Sequence, residues 1–207
     1  MAYFPMYVDL SGRPCLVVGA GEVAVRKVEV LLDFDAKVFV VAKDFSKGME
    51  ACQKMHPDRV TLQRKGFEPK DCEGRFLVVA ATDHPGKNHE IACYCKEHGI
   101  AVNAVDQKED CTFIFPSYVR QKDLVASFSS AGKSPLLTQI LKEEEKSVLT
   151  PFIGELNECL GAVRDKVKAI YQTEGERKAA YRRIYEYAMR YGEIPDERKI
   201  QELLNDL

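Results

Sequence analysis

Short apolar segments alternate with amphipathic ones over the first half of the chain. Five apolar segments have the character of buried strands, and they lie at residues 14–18, 37–42, 60–63, 75–81 and 100–105. Helical patterns occupy residues 22–33 and about 87–97, each between two of these segments. Strands that alternate with helices at this spacing predict an α/β domain with a parallel, doubly wound sheet.

The pattern changes after Asp106, where the alternation ends. Apolar segments at 113–116 and 124–130 flank the polar stretch 120–123, and so short a connection predicts an antiparallel hairpin. Ser134 and Pro135 have the residue types of a helix N-cap and a first helical position. Apolar stripes at helical spacing follow, at Phe152, Leu156, Leu160, Val163, Val167 and Ile170, and at Tyr181, Ile184, Tyr185 and Ala188. Gly192 and Pro195 end the second of these helices, and a terminal helix is predicted over 197–204.

Composition and charge narrow the choice of partners. The chain has 207 residues, of which 45% are hydrophobic and 30% charged, and its formal net charge is −2. A chain of this kind can bury a core, and without basic excess it is not expected to bind nucleic acid. No apolar run reaches the roughly 18 residues of a membrane span, and the N-terminus from Met1 to Pro5 lacks the features of a signal peptide.

The seven cysteines, at 15, 52, 72, 93, 95, 111 and 159, are odd in number and scattered. This distribution predicts reduced thiols in a cytoplasmic protein. His89 and Cys93, four positions apart on a predicted helix, have a spacing at which two side chains could share a metal. No second ligand pair has metal-site spacing, so an ordinary thiol beside a surface histidine is favoured and no metal site is predicted.

The strongest local motif is Gly19-Ala20-Gly21-Glu22-Val23-Ala24, which fits G-x-G-x-x-A between a predicted strand and a predicted helix. Gly19 permits a tight turn, Gly21 lets a pyrophosphate approach the backbone, and the helix N-terminus at Glu22 and Val23 supplies N–H groups to phosphates. This context predicts a dinucleotide-binding Rossmann unit, with a purely structural turn as the alternative. Arg26 and Lys27, one turn further, are interpreted as solvated surface charges.

An acidic residue just past the second strand commonly binds the adenosine ribose. Asp44 has this position, slightly late in the sequence, and it is suited to the ribose hydroxyls of NAD. The adjacent Lys43 is suited to the 2′-phosphate of NADP, so the choice of dinucleotide stays open on these residues. An ordinary loop aspartate is an equally good interpretation of Asp44.

Polar residues near the ends of two later strands complete the predicted site. Ligands of doubly wound sheets bind outside the carboxyl ends of the strands, where Thr82, Asp83 and Asn103 are expected to contact the cofactor. Asp106 ends the last strand of the sheet, and its carboxylate could accept a proton from a substrate carbon or nitrogen while a hydride leaves. A solvated strand-end aspartate is the alternative interpretation of Asp106.

The turn at 129–134 superficially resembles a Walker A loop. That motif needs a glycine where this chain has Ser127, so ATP binding is rejected. The hydroxyl and N–H groups of Ser129, Ser130 and Gly132 are nevertheless suited to binding a carboxylate or phosphate.

Together these segments resemble the precorrin-2 dehydrogenase family, which includes the N-terminal half of bifunctional siroheme synthases. The matching stretches are FPMYVDL (4–10), VGAGEVAVRK (18–27), VVAATD (78–83), VNAVD (102–106), FIFPS (113–117) and SSAGKSP (129–135). They occur in the family's order and cover residues 3 to about 141, and GERKAAY (175–181) is a weaker match. Six ordered motifs are far more specific than the glycine turn alone.

The resemblance implies NAD-dependent oxidation of precorrin-2 to sirohydrochlorin by a homodimer. It implies an NAD-binding domain over 1–112, a dimerisation and substrate region over 113–147, and a helical domain over 148–207. Asp106 matches the family's general base, Glu22, Val23, Lys43 and Asp44 match cofactor contacts, and Ser130 matches a serine that some members phosphorylate. The methyltransferase half of the bifunctional members is then expected on another protein.

The substrate's several carboxylates call for cationic and N–H donors. Arg120, Lys122 and Lys133 are candidates for this role, beside Ser129, Ser130 and Gly132. Insertion of iron or cobalt into sirohydrochlorin, which some members perform, is one alternative activity. A non-catalytic NAD-sensing module is the other.

Overall fold

The structure is a computed structural model that describes residues 3–205. Met1, Ala2, Asp206 and Leu207 lie outside the described residues, so the first two residues of the expected NAD-binding domain and the last two of the expected helical domain are not described. The chain forms two compact units, one ending at Phe115 and the other beginning at Pro116. The hairpin therefore belongs to the same compact unit as the C-terminal helices.

The first unit is built on a five-stranded sheet in the order β3-β2-β1-β4-β5, in which all four pairings are parallel. Its strands are β1 Pro14–Val18, β2 Lys37–Ala42, β3 Val60–Arg64, β4 Leu77–Ala80 and β5 Ala101–Ala104. Its helices are α1 Glu22–Asp33, α2 Lys47–Met55 and α3 Pro85–Glu97, with short 3₁₀ turns at Pro69–Cys72 and Lys108–Asp110. The predicted parallel α/β sheet is confirmed, although β4 and β5 are shorter than the apolar segments that predicted them.

Both faces of the sheet are buried. Successive side chains of β1 point to opposite sides of the sheet, and those on each side pack into a separate core cluster. Cys15 and Val17 belong to one core cluster with α1 and α2. Leu16 and Val18 belong to the other with α3. This double burial explains why the strands read as continuous apolar runs rather than as alternating patterns.

Helix α2 is absent from the sequence-based expectation. Its sequence, KGMEACQKM, is mostly polar, and only Met49 and Cys52 are buried. Ser46 is the N-cap of this helix, and its hydroxyl accepts a hydrogen bond from the Met49 N–H at 3.2 Å. With so few apolar positions there is no stripe for a periodicity argument to detect.

The second unit begins with an antiparallel hairpin, β6 Ser117–Gln121 and β7 Leu124–Phe128. The hairpin was predicted, but its first strand was wrongly placed at 113–116. Phe113 and Phe115 instead pack against the core of the first unit as irregular chain. Their apolar character comes from this packing and not from strand pairing.

Five helices follow, at α4 Pro135–Glu145, α5 Pro151–Ala162, α6 Arg164–Ile170, α7 Glu174–Tyr191 and α8 Glu197–Asn205. Ser134 caps α4 as predicted, since its hydroxyl accepts a hydrogen bond from the Leu137 N–H at 3.2 Å. Gly192 ends α7 with a left-handed φ of 67°. No helix in residues 3–205 is both long and apolar enough to cross a membrane.

Two members of the predicted apolar stripes are exposed. The first stripe is interrupted at Val163, where α5 ends and α6 begins, so residues beyond it change direction. Val167 remains buried, whereas Ile170 is 44% exposed. On α7, Ile184 and Ala188 form the buried row, and Tyr185 is 46% exposed because it lies beside that row.

Two glycines of α5 provide a matched test of packing in the second unit. A Cβ on Gly154 would lie 2.9 Å from the Gln121 Cβ and 3.0 Å from its carbonyl oxygen, whereas a Cβ on Gly161 meets nothing within 4 Å. We expect Gly154→Ala to destabilise the protein by about 1–3 kcal/mol through overpacking. Gly161→Ala should stabilise it by up to about 1 kcal/mol through helix propensity. Urea denaturation followed by circular dichroism measures both, and equal effects would contradict the close approach of α5 to β6.

Candidate functional site

A cleft of about 1030 Å³ lies at the carboxyl ends of the parallel strands in the first unit. The strand order reverses direction at β1, which pairs with β2 on one side and with β4 on the other. Ligands of open α/β sheets bind at such a switch point. The predicted residues that line the cleft are Gly19, Gly21, Glu22, Val23, Lys43, Asp44, Thr82, Asp83 and Asp106.

Gly19 is held where two strand ends meet. Its N–H donates to the Val41 carbonyl at 2.9 Å, and its φ is 112°. A Cβ on Gly19 would lie 2.7 Å from the carbonyl carbon of Ala81, which is closer than real contacts allow. The backbone conformation and the neighbouring chain both demand glycine at this position.

Gly21 differs, because the protein itself leaves room beside it. It is the N-cap of α1, no side chain caps the helix there, and an added Cβ would meet nothing within 4 Å. The first helical hydrogen bond runs from the Val25 N–H to the Gly21 carbonyl, so the preceding N–H groups, including those of Glu22 and Val23, have no partner within the helix. An open, uncapped helix N-terminus of this kind fits a pyrophosphate.

Lys43 and Asp44 follow β2, and both are exposed. An Asp44 carboxylate oxygen lies 2.7 Å from Nη1 of Arg64, the last residue of β3, and the same nitrogen lies 3.4 Å from the Lys43 carbonyl oxygen. The Arg64 guanidinium also lies 5.1 Å from the centre of the Phe45 ring. The carboxylate is therefore oriented from a neighbouring strand, and the sequence distance of 20 residues concealed Arg64.

Thr82 is fixed by a buried side chain that sequence reasoning missed. The Asn88 amide oxygen accepts from the Thr82 hydroxyl at 2.7 Å and from its N–H at 3.1 Å, while the Asn88 amide nitrogen donates to the Thr82 carbonyl at 3.0 Å. Asn88 is 3% exposed. An asparagine eight residues after the end of β4, on the first turn of α3, was the available signal.

Two lysines, also unpredicted, line the same cleft. Lys65 Nζ lies 2.7 Å from a carboxylate oxygen of Asp71, and Lys87 Nζ lies 2.9 Å from a carboxylate oxygen of Glu90. The hydrogen bond with Asp71 is the main factor that raises the pKa of Lys65, so this residue remains a cation at neutral pH. This side of the cleft therefore carries two lysine cations, and each is paired with a carboxylate.

Asp106 stands just beyond β5 with a φ of 60°, a left-handed conformation that aspartate tolerates better than most residues. Its side chain is exposed and lines the cleft. Lys27 lies close enough to interact electrostatically with this carboxylate.

Lys27 is not the solvated surface charge that the sequence indicated. Its ammonium lies 4.1 Å from the centre of the Phe115 ring. Burial, and then repulsion from Arg26, lower the pKa of Lys27, whereas the charge of Asp106 acts in the opposite direction. Lys27 therefore contributes a partly desolvated cation behind Asp106.

Asn103 was expected to contact the cofactor, but it is not among the residues that line the cleft. Its amide donates to the Phe113 carbonyl at 3.0 Å and to the Cys111 sulfur at 3.5 Å, and it is 8% exposed. Alternation along β5 turns this side chain to the face of the sheet that carries Phe113. In this structure it holds the segment after Asp106 against the sheet.

The remaining predicted residues belong to the second unit. The Ser130 hydroxyl accepts from the Ser134 N–H at 2.9 Å, and the Ser129 hydroxyl accepts from the Ala131 N–H at 3.1 Å. Gly132, in a left-handed conformation, and Lys133 are exposed in the same turn. Arg120 lies on β6, where its Nε donates to the Lys122 carbonyl at 2.7 Å. Among residues 3–205, no three histidine, cysteine or acidic side chains are grouped so that they could hold a metal.

Known proteins resemble this chain along most of its length. It is 34% identical over 185 residues to a siroheme synthase of Ruthia magnifica subsp. Calyptogena magnifica, which covers 89% of this chain and 39% of that protein. It is 35% identical over 209 residues to siroheme synthase 2 of Yersinia pestis (strain Pestoides F), which covers 100% of this chain and 43% of that protein. The chain thus spans about two fifths of the length of these relatives, and the resemblance inferred from the motifs is confirmed.

A solved structure described as "SirC, precorrin-2 dehydrogenase" superposes with a TM-score of 0.77 at 23% identity, covering 98% of this chain and 97% of that one. This likeness confirms the fold. The model of a family described as putative NAD(P)-binding matches residues 6–117, which contain the glycine turn, the cleft and Asp106. Since that match covers more than half of the 207 residues, the chain belongs to the putative NAD(P)-binding family.

Proposed function

We propose that this protein oxidises precorrin-2 to sirohydrochlorin with NAD as the hydride acceptor. The observation that carries the proposal is the exposed Asp106 carboxylate, which stands in the same cleft as the dinucleotide-type glycine turn. The similarity to siroheme synthases over 89–100% of the chain supports the choice of tetrapyrrole.

Each part of a dinucleotide has a proposed partner in the cleft. The N–H groups at the start of α1, beside Gly21, are proposed to bind the pyrophosphate. The Asp44 carboxylate is proposed to accept hydrogen bonds from the ribose hydroxyls. NAD, when bound, supplies an acceptor for the hydride. Thr82 and Asp83 lie at the ends of the strands across the same cleft and are proposed to contact the cofactor as well.

Asp106 is proposed to accept the proton that leaves the substrate as hydride is transferred. Its left-handed backbone carries the carboxylate beyond the end of β5 and into the cleft. The ionised carboxylate is the form that can accept a proton, and Lys27 lies close enough to interact with it electrostatically.

Carboxylates on the substrate call for donors in addition to those at the cofactor. We propose that the turn containing Ser129, Ser130, Gly132 and Lys133, together with Arg120, supplies them. Lys133 is exposed, and consecutive left-handed residues at 131 and 132 shape the turn. Backbone N–H groups in such turns are suited to anions.

A conservative substitution separates the chemistry of Asp106 from its role in the fold. Asparagine also tolerates the left-handed conformation, so Asp106→Asn should fold and bind NAD normally. It cannot accept the proton, and we expect turnover of precorrin-2 to fall by roughly a hundredfold or more. The measurement is NADH formation together with the absorbance of sirohydrochlorin.

Asp35→Asn is the matched control, because Asp35 has the same left-handed φ of 59° but pairs with Arg59 away from the lining of the cleft. This variant should retain full activity. A fully active Asp106→Asn would overturn the assignment of the base. NAD binding without any oxidation of precorrin-2 by the unmodified protein would instead favour the NAD-sensing module, and metal insertion into sirohydrochlorin without NAD would demonstrate the chelatase.

Cofactor binding is tested at Gly21, where an added side chain would extend into open space. Gly21→Val should leave thermal stability nearly unchanged, yet weaken NAD binding at least about tenfold, or about 1.4 kcal/mol, because the added methyl groups occupy the approach of the pyrophosphate. Isothermal titration calorimetry measures the affinity. Gly86→Val is the control, since a Cβ added at Gly86 also meets nothing within 4 Å but Gly86 does not line the cleft. Equal NAD affinities for the two variants would contradict the assigned phosphate site.

We also propose that the protein is a homodimer of the cytoplasm. Four neighbouring apolar residues on one face of α4 are 37–66% exposed, and they are Leu136, Leu137, Ile140 and Leu141. An apolar face of this kind commonly marks a protein interface, and the resemblance implies a second copy as its occupant. Seven free cysteines suit the reducing conditions of the cytoplasm.

A charge on this face should weaken the dimer. For Leu137→Glu we expect an increase of roughly thirtyfold or more in the dissociation constant, about 2 kcal/mol, measured by sedimentation equilibrium. Met189→Glu is the control, since Met189 is also exposed, at 47%, but lies on α7. Unmodified protein that sediments at the 23.4 kDa mass of one chain would refute the proposal.

A further inference from the structure

A second constellation of reactive side chains lies outside the cleft, on the exposed side of α3. The Cys93 sulfur is 3.5 Å from Nε2 of His89, and Nδ1 of the same ring is 2.8 Å from a carboxylate oxygen of Asp110. None of these three residues lines the dinucleotide cleft. The sequence placed His89 and Cys93 together, one helical turn apart, but it did not bring in Asp110.

The hydrogen-bond partners determine how the histidine ring is oriented. Burial raises the pKa of Asp110, but the hydrogen bonds from His89 and Lys96 outweigh this effect and hold it below its ordinary value. Asp110 is therefore a carboxylate at neutral pH and can only accept hydrogen bonds. Consequently Nδ1 of His89 donates, and in the neutral ring Nε2 is the acceptor that faces the thiol.

Asp110 is itself firmly placed. It is 8% exposed, and Lys96 Nζ lies 3.4 Å from its other carboxylate oxygen and 2.9 Å from the Glu109 carbonyl. The His89 side chain is 61% exposed, and Cys93 is partly exposed. A thiol, a base within reach of it and a third group that orients the base are the arrangement of an activated nucleophile.

We propose that Cys93 is a nucleophilic thiol that His89 and Asp110 activate, and that it is a site of modification by low-molecular-weight disulfides. His89 accepts the thiol proton, and the Cys93 thiolate attacks one sulfur of the disulfide. The new bond joins Cys93 to that sulfur, the original disulfide bond breaks, and the leaving thiolate takes the proton from His89. The products are a mixed disulfide on Cys93 and one free thiol, so no further oxidant is needed.

The surroundings of Cys93 favour a mixed disulfide as the stable product. Cys95, two positions along the helix, is fully buried and directed toward Cys72, with the two sulfurs 3.8 Å apart. Within residues 3–205, the Cys93 sulfur makes no hydrogen-bond contact with the sulfur of another cysteine. With no other cysteine in hydrogen-bond contact with Cys93, we expect the adduct to persist until an external thiol removes it.

The protein carries its own comparison groups. Cys111 and Cys159 are also partly exposed, but burial raises the pKa of each of these thiols. At neutral pH these two cysteines therefore hold less of the reactive thiolate than a thiol that is not buried. If exposure alone governed reactivity, all three cysteines would react at similar rates.

The first test is site-resolved alkylation of the full chain by iodoacetamide at pH 7, followed by mass spectrometry. Cys93 and Cys95 share the tryptic peptide 88–96, so fragment ions must distinguish them. We expect Cys93 to react about tenfold faster than Cys111 and Cys159, and His89→Gln to remove that advantage. Asp110→Asn should slow Cys93 as well, by a smaller factor.

His98→Gln is the matched control, because His98 follows the same helix but its Nδ1 contacts the Tyr94 carbonyl at 2.8 Å. It should leave the rate at Cys93 unchanged. Thermal melts of all variants check that the fold is retained. Equal rates at Cys93, Cys111 and Cys159, or a His89→Gln variant that reacts as fast as the unmodified protein, would overturn the proposal.

The second test uses oxidised glutathione as the disulfide. One glutathionyl group should add to Cys93, Cys93→Ser should abolish the addition, and dithiothreitol should reverse it. Rapid alkylation of Cys93 without any mixed disulfide would overturn the assignment of disulfides as its reactants. The test involves neither precorrin-2 nor NAD, so its outcome is independent of the proposed dehydrogenase activity.

Discussion

The close approach of the β1 turn to the end of β4 is the constraint on which the first unit depends. Gly19 can adopt its φ of 112° only because it lacks a side chain, and the same lack admits the backbone of Ala81 beside it. Two hydrogen bonds hold the approach, from the Gly19 N–H to the Val41 carbonyl at 2.9 Å and from the Ala81 N–H to the Val18 carbonyl at 2.8 Å. The ends of β1, β2 and β4 are thereby brought to one point, and the cleft opens there.

Paired polar groups orient two of the residues that line the cleft. Asn88 satisfies three polar groups of Thr82, and Arg64 orients Asp44 from the neighbouring strand. The Arg64–Asp44 pair is largely exposed, with 57% and 90% of the two side chains accessible, so it adds little to stability and acts mainly on orientation. A cofactor binding here would find its partners already in place, which lowers the entropic cost of binding.

The segment after β5 joins chemistry to packing. Asp106 projects into the cleft, while Asn103 and the following Phe113 and Phe115 fix the chain against the sheet. The partly desolvated Lys27 ammonium lies 4.1 Å from the centre of the Phe115 ring, close enough to the Asp106 carboxylate to interact with it electrostatically. The polar asparagine inside a strand, which sequence reasoning assigned to the cofactor, thus serves to anchor the loop that carries the proposed base.

Strand and helix identity in the first unit followed from the sequence, since buried parallel strands appear as apolar runs and the bounds of β1, β2 and α1 agree with their patterns. The glycine turn predicted the location of the cleft for the same local reason, because backbone geometry at Gly19 depends on residue type. Helix α2 escaped detection, since two buried residues make no periodic stripe. The segment 113–116 was misassigned because apolar composition cannot distinguish strand pairing from irregular packing.

The sequence by itself determined the parallel α/β fold, the dinucleotide motif and the order of the family's motifs, because each depends on neighbouring residues. Only the tertiary structure decided which side chains meet across the chain. Arg64 reaches Asp44 from another strand, Asn88 reaches back to Thr82, and Asp110 meets His89 across 21 positions. These contacts depend on the three-dimensional arrangement of strands and helices, which brings together residues that no local pattern connects.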